Sequence, residues 1–411
     1  MRREVKIMQI ASALSRRQAL TGTATALVAA PFVIRSGFAQ RRTIDIGVIE
    51  PLSGANAQFG VISRDGMEFV ADEISAAGGI KALGGAQINL IVADATSNPT
   101  KAAIAAQSLI TQNDLTAVIG AFASSLTLAV SEVTARADIP MLTASFADEI
   151  TGRGLESVFK LVATATVIGR AQINYTLAIA EAAGSKINKI AIMYEDTAYG
   201  TAQSRGLRKA ARDSNIEVVM DEAYPFGITD ATPLVSKLRD SGAQAVFPVS
   251  YFNDSLFIIR TMRQQRILIP VIAGAAGYVI PDFEKALGEF AEGVFSINTS
   301  NYDLAPALTD PFRKRFGYFM EHNAIDHAVA LDVLVQAIER AKSARPQAVT
   351  EALHGARFEG GWTKATPGGV VQFDQTGLNT LSVPIMVQWH NKELVTVWPK
   401  TIAKASPVWH A

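Results

Sequence analysis

The sequence predicts an α/β protein built from two doubly wound parallel-sheet lobes. Three observations predict it. From Thr43 onward, short apolar runs alternate with longer amphipathic ones. The alternation restarts after about Ala163. The short runs are continuously apolar, as strands covered on both faces of a parallel sheet are. With 411 residues, 49% of them hydrophobic, the chain has core enough for two or three domains. Its charges cancel, so it carries no electrostatic footprint for nucleic acid or an anionic membrane.

The elements follow in order. "IDIGVIE" (Ile44 to Glu50) is the first strand, and in the helix after it Met67, Val70, Ala71 and Ile74 share one face. Gly78-Gly79 stops that helix. "INLIVAD", "TAVIGAF" and "IPMLTAS" are the next strands, with helices from Pro99 to Gln112 and from Ser124 to Ala137 between them. "KIAIMYED", "IEVVMDEAYP", "AQAVFPVSY" and "ILIPVIAG" make the second series, with helices at Pro233 to Asp240 and Ser255 to Gln264. After "EGVFSIN" comes a long helix over "DHAVALDVLVQAIERAKS" (Asp326 to Ser343). The segment from Gly368 to Pro399 alternates like a late antiparallel hairpin, with turns at "DQTG" and "HNKE".

Residues 1–39 read as a cleaved export signal rather than part of the fold. Arg2, Arg3, Lys6, Arg16 and Arg17 make a basic start, and Ala19 to Ile34 is apolar but shorter than the ~20 residues of a membrane span. "SRRQAL" resembles a twin-arginine signal, with Ala19 where such signals carry Phe, and Gly37-Phe38-Ala39 offers the cleavage site. The chain has no Cys, which removes disulfides, thiol nucleophiles and thiolate metal sites.

The loops at the strand ends carry the functional signal. Neither a Walker A string nor a G-x-G-x-x-G fingerprint occurs, and Ser53 sits in no G-x-S-x-G elbow. Ser53 and Gly54 alone read as a plain βα turn, although backbone N–H groups at such a turn can hold a carboxylate. In "GAFASS", Ser124 opens a helix and is either its N-cap or a partner for an anionic ligand end. "TASF" (Thr143 to Phe146) repeats that theme. His322 and His327 are spaced five apart, off the i, i+4 face of a helical zinc pair, and nothing pairs Glu195 or Asp196 with a nucleophile. Tyr199, Tyr251 and Tyr278, with Phe59 and Phe122, are either ordinary packing or the aromatic wall of a cleft facing a hydroxyl rim.

Together, the export signal, "PLSGANAQFG", the Asn98-Pro99 helix start, "VIGAFASS", "EDTAYG", "AEGVF" and "QFDQTG" occur in an order that resembles the type I periplasmic solute-binding proteins of the branched-chain amino-acid (leucine/isoleucine/valine) transport class. The resemblance spans the mature chain. It implies two lobes joined by a three-crossing hinge, with residues 43–162 plus 296–375 in the first and 163–295 plus 376–411 in the second. It implies a carboxylate held by Ser124 and by Ser145 and Phe146, with Tyr199, Tyr251 and Phe59 as further ligand contacts. The family's ammonium-binding glutamate loop here reads "AGAAGYV" (Ala273 to Val279) and has no acid. Glu50, Asp148 or Asp254 would have to substitute, or the ligand has no ammonium.

The expected function is therefore a periplasmic, monomeric receptor that hands a small carboxylate-bearing solute to the membrane permease subunits of an ABC importer. It would use no cofactor and no metal and would not be an enzyme. The solute is either a branched-chain-type amino acid or an aromatic acid or amide without an ammonium. An exported α/β enzyme and a sensory receptor are the rival readings.

Overall fold

A computed structural model describes residues 43–409, so the expected export signal lies outside the described residues. The first series is β1 (Thr43–Glu50), α1 (Ala57–Ala76), β2 (Gln87–Asp94), α2 (Pro99–Gln112), β3 (Ala117–Gly120), α3 (Ser124–Arg136), β4 (Met141–Thr143), α4 (Glu149–Gly152) and β5 (Val158–Lys160). Its sheet is parallel throughout, in the order β2-β1-β3-β4-β5. Asn98 caps α2 by accepting from Lys101 N–H, with Pro99 preset at the first helical position. Gly79 N–H bonds to Ile74 O and ends α1 as the Gly-Gly pair predicts. The three-residue strand β5 escaped the sequence reading because so short a run has no periodicity.

The second series is α5 (Ala165–Ala182), β6 (Lys189–Glu195), α6 (Ala198–Asp213), β7 (Glu217–Tyr224), α7 (Thr232–Asp240), β8 (Ala245–Val249), α8 (Phe252–Gln264), β9 (Ile272–Ala273), α9 (Pro281–Leu287) and β10 (Phe295–Asn298). β7-β6-β8 is parallel, and a bridge from Val246 to Val271 leads on to β9 and β10. The run expected at Ile267 to Gly274 yields only the two residues of β9. Pro270, with no N–H, cannot donate to a ladder there.

The chain then returns to each lobe once. α10 (Pro306–Phe316), α11 (His322–Ala341), α12 (Pro346–Leu353), β11 (Arg357–Glu359) and β12 (Val370–Gln372) precede β13 (Ile385–His390) and β14 (Glu393–Trp398). α11 packs along α1 in the first lobe. β13 pairs antiparallel with β10 and β14 in the second. The late segment is thus not one hairpin. The "HNKE" turn joins β13 to β14, whereas β12 pairs with β11 and "DQTG" begins a crossing.

The lobes are joined after β5, after β10 and after β12. The first and third crossings run side by side: Lys160 N–H donates to Gly377 O, Asn379 N–H donates to Lys160 O, and Ala163 N–H donates to Ser382 Oγ. The second is fastened to α11, where Asp326 accepts from Thr299 Oγ1 (2.6 Å) and Ser300 Oγ (3.0 Å). Since β10 belongs to the second sheet, the lobe division we propose places this crossing after Asn298 rather than at residue 296.

Candidate functional site

The strand ends of the two lobes face each other, and aromatic rings from both meet between them. Phe59 of α1 stacks on Phe122 with centroids 4.3 Å apart and planes 11° apart. Tyr251, the N-cap residue of α8, meets both rings, at 6.3 and 5.9 Å. Tyr199 of α6 touches Tyr251 at 5.4 Å and reaches back to Phe146 at 5.8 Å. Of the nine residues the sequence singled out, these five form one continuous cluster. Phe226, which sequence reasoning missed, joins it edge-on to Tyr251.

Ser124 and Ser145 support the cluster from the first lobe, in different ways. Ser124 is the first residue of α3 rather than its N-cap; Ala123 holds that position. Its Oγ accepts from Ala147 N–H at 3.1 Å, so its own hydroxyl proton remains for another acceptor. It stands among the first-turn N–H groups of α3, which have no intrahelical partner. Ser145 is committed within the lobe: its Oγ donates to Phe122 O at 2.6 Å and contacts Thr127 Oγ1 and Thr143 Oγ1. That bond holds Phe122 in the left-handed region, at φ 52, a costly conformation for a bulky residue and one that clusters at ligand clamps. The Ser145 hydroxyl is therefore not free for a ligand; it positions Phe122.

Two of the singled-out residues lie elsewhere. The Tyr278 ring packs on Phe283 and its hydroxyl meets Ser250, so it belongs to the interior of the second lobe. Glu50 is fully buried against α11, with Oε1 3.0 Å from His327 Nε2. His327 Nδ1 lies 2.7 Å from Asn323 O and must carry a proton to bond it. The contact with Glu50 then needs one further proton on one partner or the other. Burial pushes the Glu50 carboxyl up. Burial, the largest single influence, pushes His327 down, but the Glu50 charge, the contacts with Glu50 and Asn323 O and the Asp326 charge together outweigh it, and the net displacement is upward. Ser53 and Gly54 form a plain turn: Leu52 N–H donates to Asp94 and Asn56 N–H to Ser97.

The other candidate acids have partners. Asp148 Oδ2 accepts from Thr166 N–H, and Asp254 Oδ2 accepts from Gly227 N–H. Burial pushes the Asp254 carboxyl up to about 6. Glu195 caps α6 by accepting from Thr197 and Gly200 N–H groups, each at 2.6 Å.

Several buried polar atoms around the cluster have no aligned hydrogen-bond partner among the described residues. They include Tyr251 Oη and Thr197 Oγ1 in the second lobe, and Glu321 Oε1 and both ring nitrogens of His322 in the first. Such atoms in a native protein call for a partner. Burial pushes the Tyr199 and Tyr251 phenols up, so both stay protonated hydroxyls. His322 faces Phe146 with centroids 6.5 Å apart, and its Nδ1 is 2.8 Å from Glu321 Oε2 but off the N–H direction. Sequence reasoning weighed His322 only as a metal ligand with His327. The two side chains part company in the structure, and among the described residues no cluster of three or more His, Asp or Glu could hold a metal. Nor, among those residues, is any helix long and apolar enough to cross a membrane.

The sequence pattern of the periplasmic binding protein family matches residues 43–388. "Leu/Ile/Val-binding protein homolog 8" of Brucella abortus is 30% identical over 376 residues, covering 88% of this chain and 92% of that protein. Among solved structures, the leucine-binding protein LivK of Thermotoga maritima superposes with a TM-score of 0.77 at 21% identity, over 87% of this chain and 98% of its own. A solute-binding protein of an ABC transporter from R. palustris, in complex with benzoate, superposes with a TM-score of 0.76 at 19% identity, over 90% and 98%. At these identities the two structures speak for the shared fold.

Proposed function

The chain belongs to the periplasmic binding protein family, and from that premise we propose that it is the exported solute receptor of an ABC importer. It takes a small carboxylate-bearing solute between its lobes and passes it, unchanged, to membrane permease subunits. The first lobe grips the carboxylate with the Ser124 hydroxyl and the N-terminal N–H groups of α3, where charge-assisted hydrogen bonds contribute about 1.5–3 kcal/mol each. Hinge closure then lays Tyr199 and Tyr251 over the ligand.

The observation that carries this reading is the stacked Phe59–Phe122 pair, with Tyr251 edge-on to it, beside Ser124. Phe59 and Phe122 already touch each other, and their joint apolar surface favours a flat apolar body laid against it rather than between them. The ligand class we propose is an aromatic acid without an ammonium. The candidate acids each lie against another group: Glu50 Oε1 is 3.0 Å from His327 Nε2, and Asp148 Oδ2 and Asp254 Oδ2 accept from Thr166 and Gly227 N–H, while both Glu50 oxygens and Asp254 Oδ1 lack an aligned hydrogen-bond partner among the described residues. The benzoate complex of the R. palustris protein supports this choice. One observation favours a branched-chain-type amino acid instead: Glu321 Oε1 is buried without a partner and could meet an ammonium. The leucine-binding relatives point the same way.

Titration calorimetry with benzoate, 3,4-dihydroxybenzoate, benzamide and L-leucine separates the two readings. Tight binding of the benzoates and not of benzamide supports the aromatic acid. Tight binding of L-leucine that Glu321→Gln weakens supports the amino acid. A ligand recovered chemically altered after incubation would overturn the receptor reading.

A further inference from the structure

Lys160 ends β5 and is fully buried. Its Nζ donates to the carbonyl oxygens of Phe146 (2.8 Å) and Ala147 (2.9 Å) in the loop after β4. No carboxylate stands within ion-pair distance of it among the described residues. The acids whose field reaches it are Asp148, which accepts from Thr166 N–H, and Glu149, which pairs with Arg205 of α6. A buried ammonium satisfied only by neutral carbonyls is costly, because its charge has no counterpart nearby.

The same loop leads to the ligand. The peptide whose carbonyl belongs to Phe146 has its N–H on Ala147, and that N–H donates to Ser124 Oγ. A chain of hydrogen bonds thus runs from Lys160 Nζ, through the 146–147 peptide, to Ser124 Oγ. Each bond polarises the next, so the Ser124 hydroxyl proton at the far end becomes a stronger donor. We infer that Lys160 is a positioning residue for carboxylate binding: it fixes and polarises the Phe146–Ala147 peptide behind Ser124, and the bound anion is the countercharge it lacks. This rests on the proposed carboxylate ligand.

The arrangement has a consequence near neutral pH. Burial pushes Lys160 down to about 7, so in the unliganded protein it is only partly charged at pH 7.5. An anion on Ser124 favours the charged form, with Asp148 and Glu149 acting the same way in both states. Carboxylate binding should therefore take up a fraction of a proton.

The experiment is calorimetry of benzoate and L-leucine at pH 7.5 in phosphate and in Tris, which differ in ionisation enthalpy. For wild type we expect proton uptake with whichever carboxylate binds, and affinity that falls as pH rises from 6.5 to 8.5. Lys160→Met should bind about tenfold more weakly and take up no proton. Lys160→Arg, always charged, should lose the proton uptake while keeping more of the affinity. A Lys160→Met or Lys160→Arg protein with wild-type proton uptake overturns the inference alone. Binding of benzamide with neither carboxylate binding overturns the carboxylate reading, and the inference with it.

Discussion

The rings of Phe146 and Tyr199 lie with centroids 5.8 Å apart, and this contact joins the loop after β4 of the first lobe to helix α6 of the second. With the Tyr251 contacts to Phe59 and Phe122, it makes one aromatic cluster shared by the two lobes. Tyr199→Ala removes a side chain that is almost wholly buried and meets the first lobe through Phe146. The expected outcome is a protein that folds, binds its solute at least tenfold more weakly, and shows a larger radius of gyration by X-ray scattering. Wild-type affinity with unchanged scattering would remove Tyr199 from the closure contact.

Ser124 Oγ accepts from Ala147 N–H, which leaves its hydroxyl proton for the carboxylate we propose. Ser124→Ala should cost about 1.5–3 kcal/mol of binding, roughly 10- to 150-fold in Kd. The substitution also strands the buried Ala147 N–H, so a loss of stability of about 1–3 kcal/mol should accompany the weaker binding. A large drop in Tm with unchanged affinity would show that the residue serves the fold alone. Ser145→Ala should lose stability through release of the Phe122 turn, and any effect on binding should come through Phe122 rather than through a lost ligand contact.

The Glu50–His327 pair should make itself felt in stability against pH. Both groups have folded-state pKa values displaced upward. A raised group holds its proton more tightly when folded, so its contribution is complete below the unfolded value and is lost as pH rises through the folded one. Glu50's share of stability should thus fall as pH climbs above 4.5, and His327's as it climbs above 6.5, their ordinary values. Lys160, displaced downward to about 7, contributes with the opposite sign between there and its unfolded value. The measurement is therefore a difference: urea unfolding of wild type and His327→Ala at several pH values. The variant should be less stable by about 3–5 kcal/mol at pH 6, since it strands a buried carboxyl, and the gap should widen from about pH 4.5 to 6.5, where the stranded carboxyl must hold a proton that the unfolded chain releases while the pair holds only the proton histidine keeps anyway. A gap independent of pH would refute the shared proton.

The strand–helix alternation and its restart were legible because buried strands and amphipathic helices carry strong hydrophobic periods. Phe59, Phe122, Phe146, Tyr199 and Tyr251 were legible as a group because they stand at strand ends, where this fold gathers its loops. What stayed hidden depends on contacts between distant parts of the chain. Nothing near Glu50 in sequence announces His327. Lys160 looks like any lysine at a strand end until β5 is seen running beneath the Phe146 loop. Glu321 and His322 precede the first strongly apolar turn of α11 and read as a polar helix start, yet both are buried. Ser145 and Tyr278 show the converse. Hydroxyls and rings at strand ends were read as pointing into the cleft, whereas their hydrogen bonds turn them into the lobes.

Gly66 sits in the middle of α1, where replacing glycine by alanine ordinarily stabilises a helix by about 1 kcal/mol. Here a Cβ would stand 2.3 Å from Ala324 O and 2.9 Å from two further backbone atoms of α11. Backbone cannot swing aside as a side chain can, so α1 and α11 would have to separate, at a cost of about 1–3 kcal/mol or more. The clash outweighs the propensity gain, and Gly66→Ala should unfold at lower urea than wild type. Gly152, at the end of α4, has nothing within 4 Å of its would-be Cβ, so Gly152→Ala should be neutral or slightly stabilising. Because α1 carries Phe59 and α11 begins with His322, forcing those helices apart should also weaken solute binding in Gly66→Ala. A Gly66→Ala protein as stable and as tightly binding as wild type would mean that the α1–α11 packing does not set the geometry of the cleft.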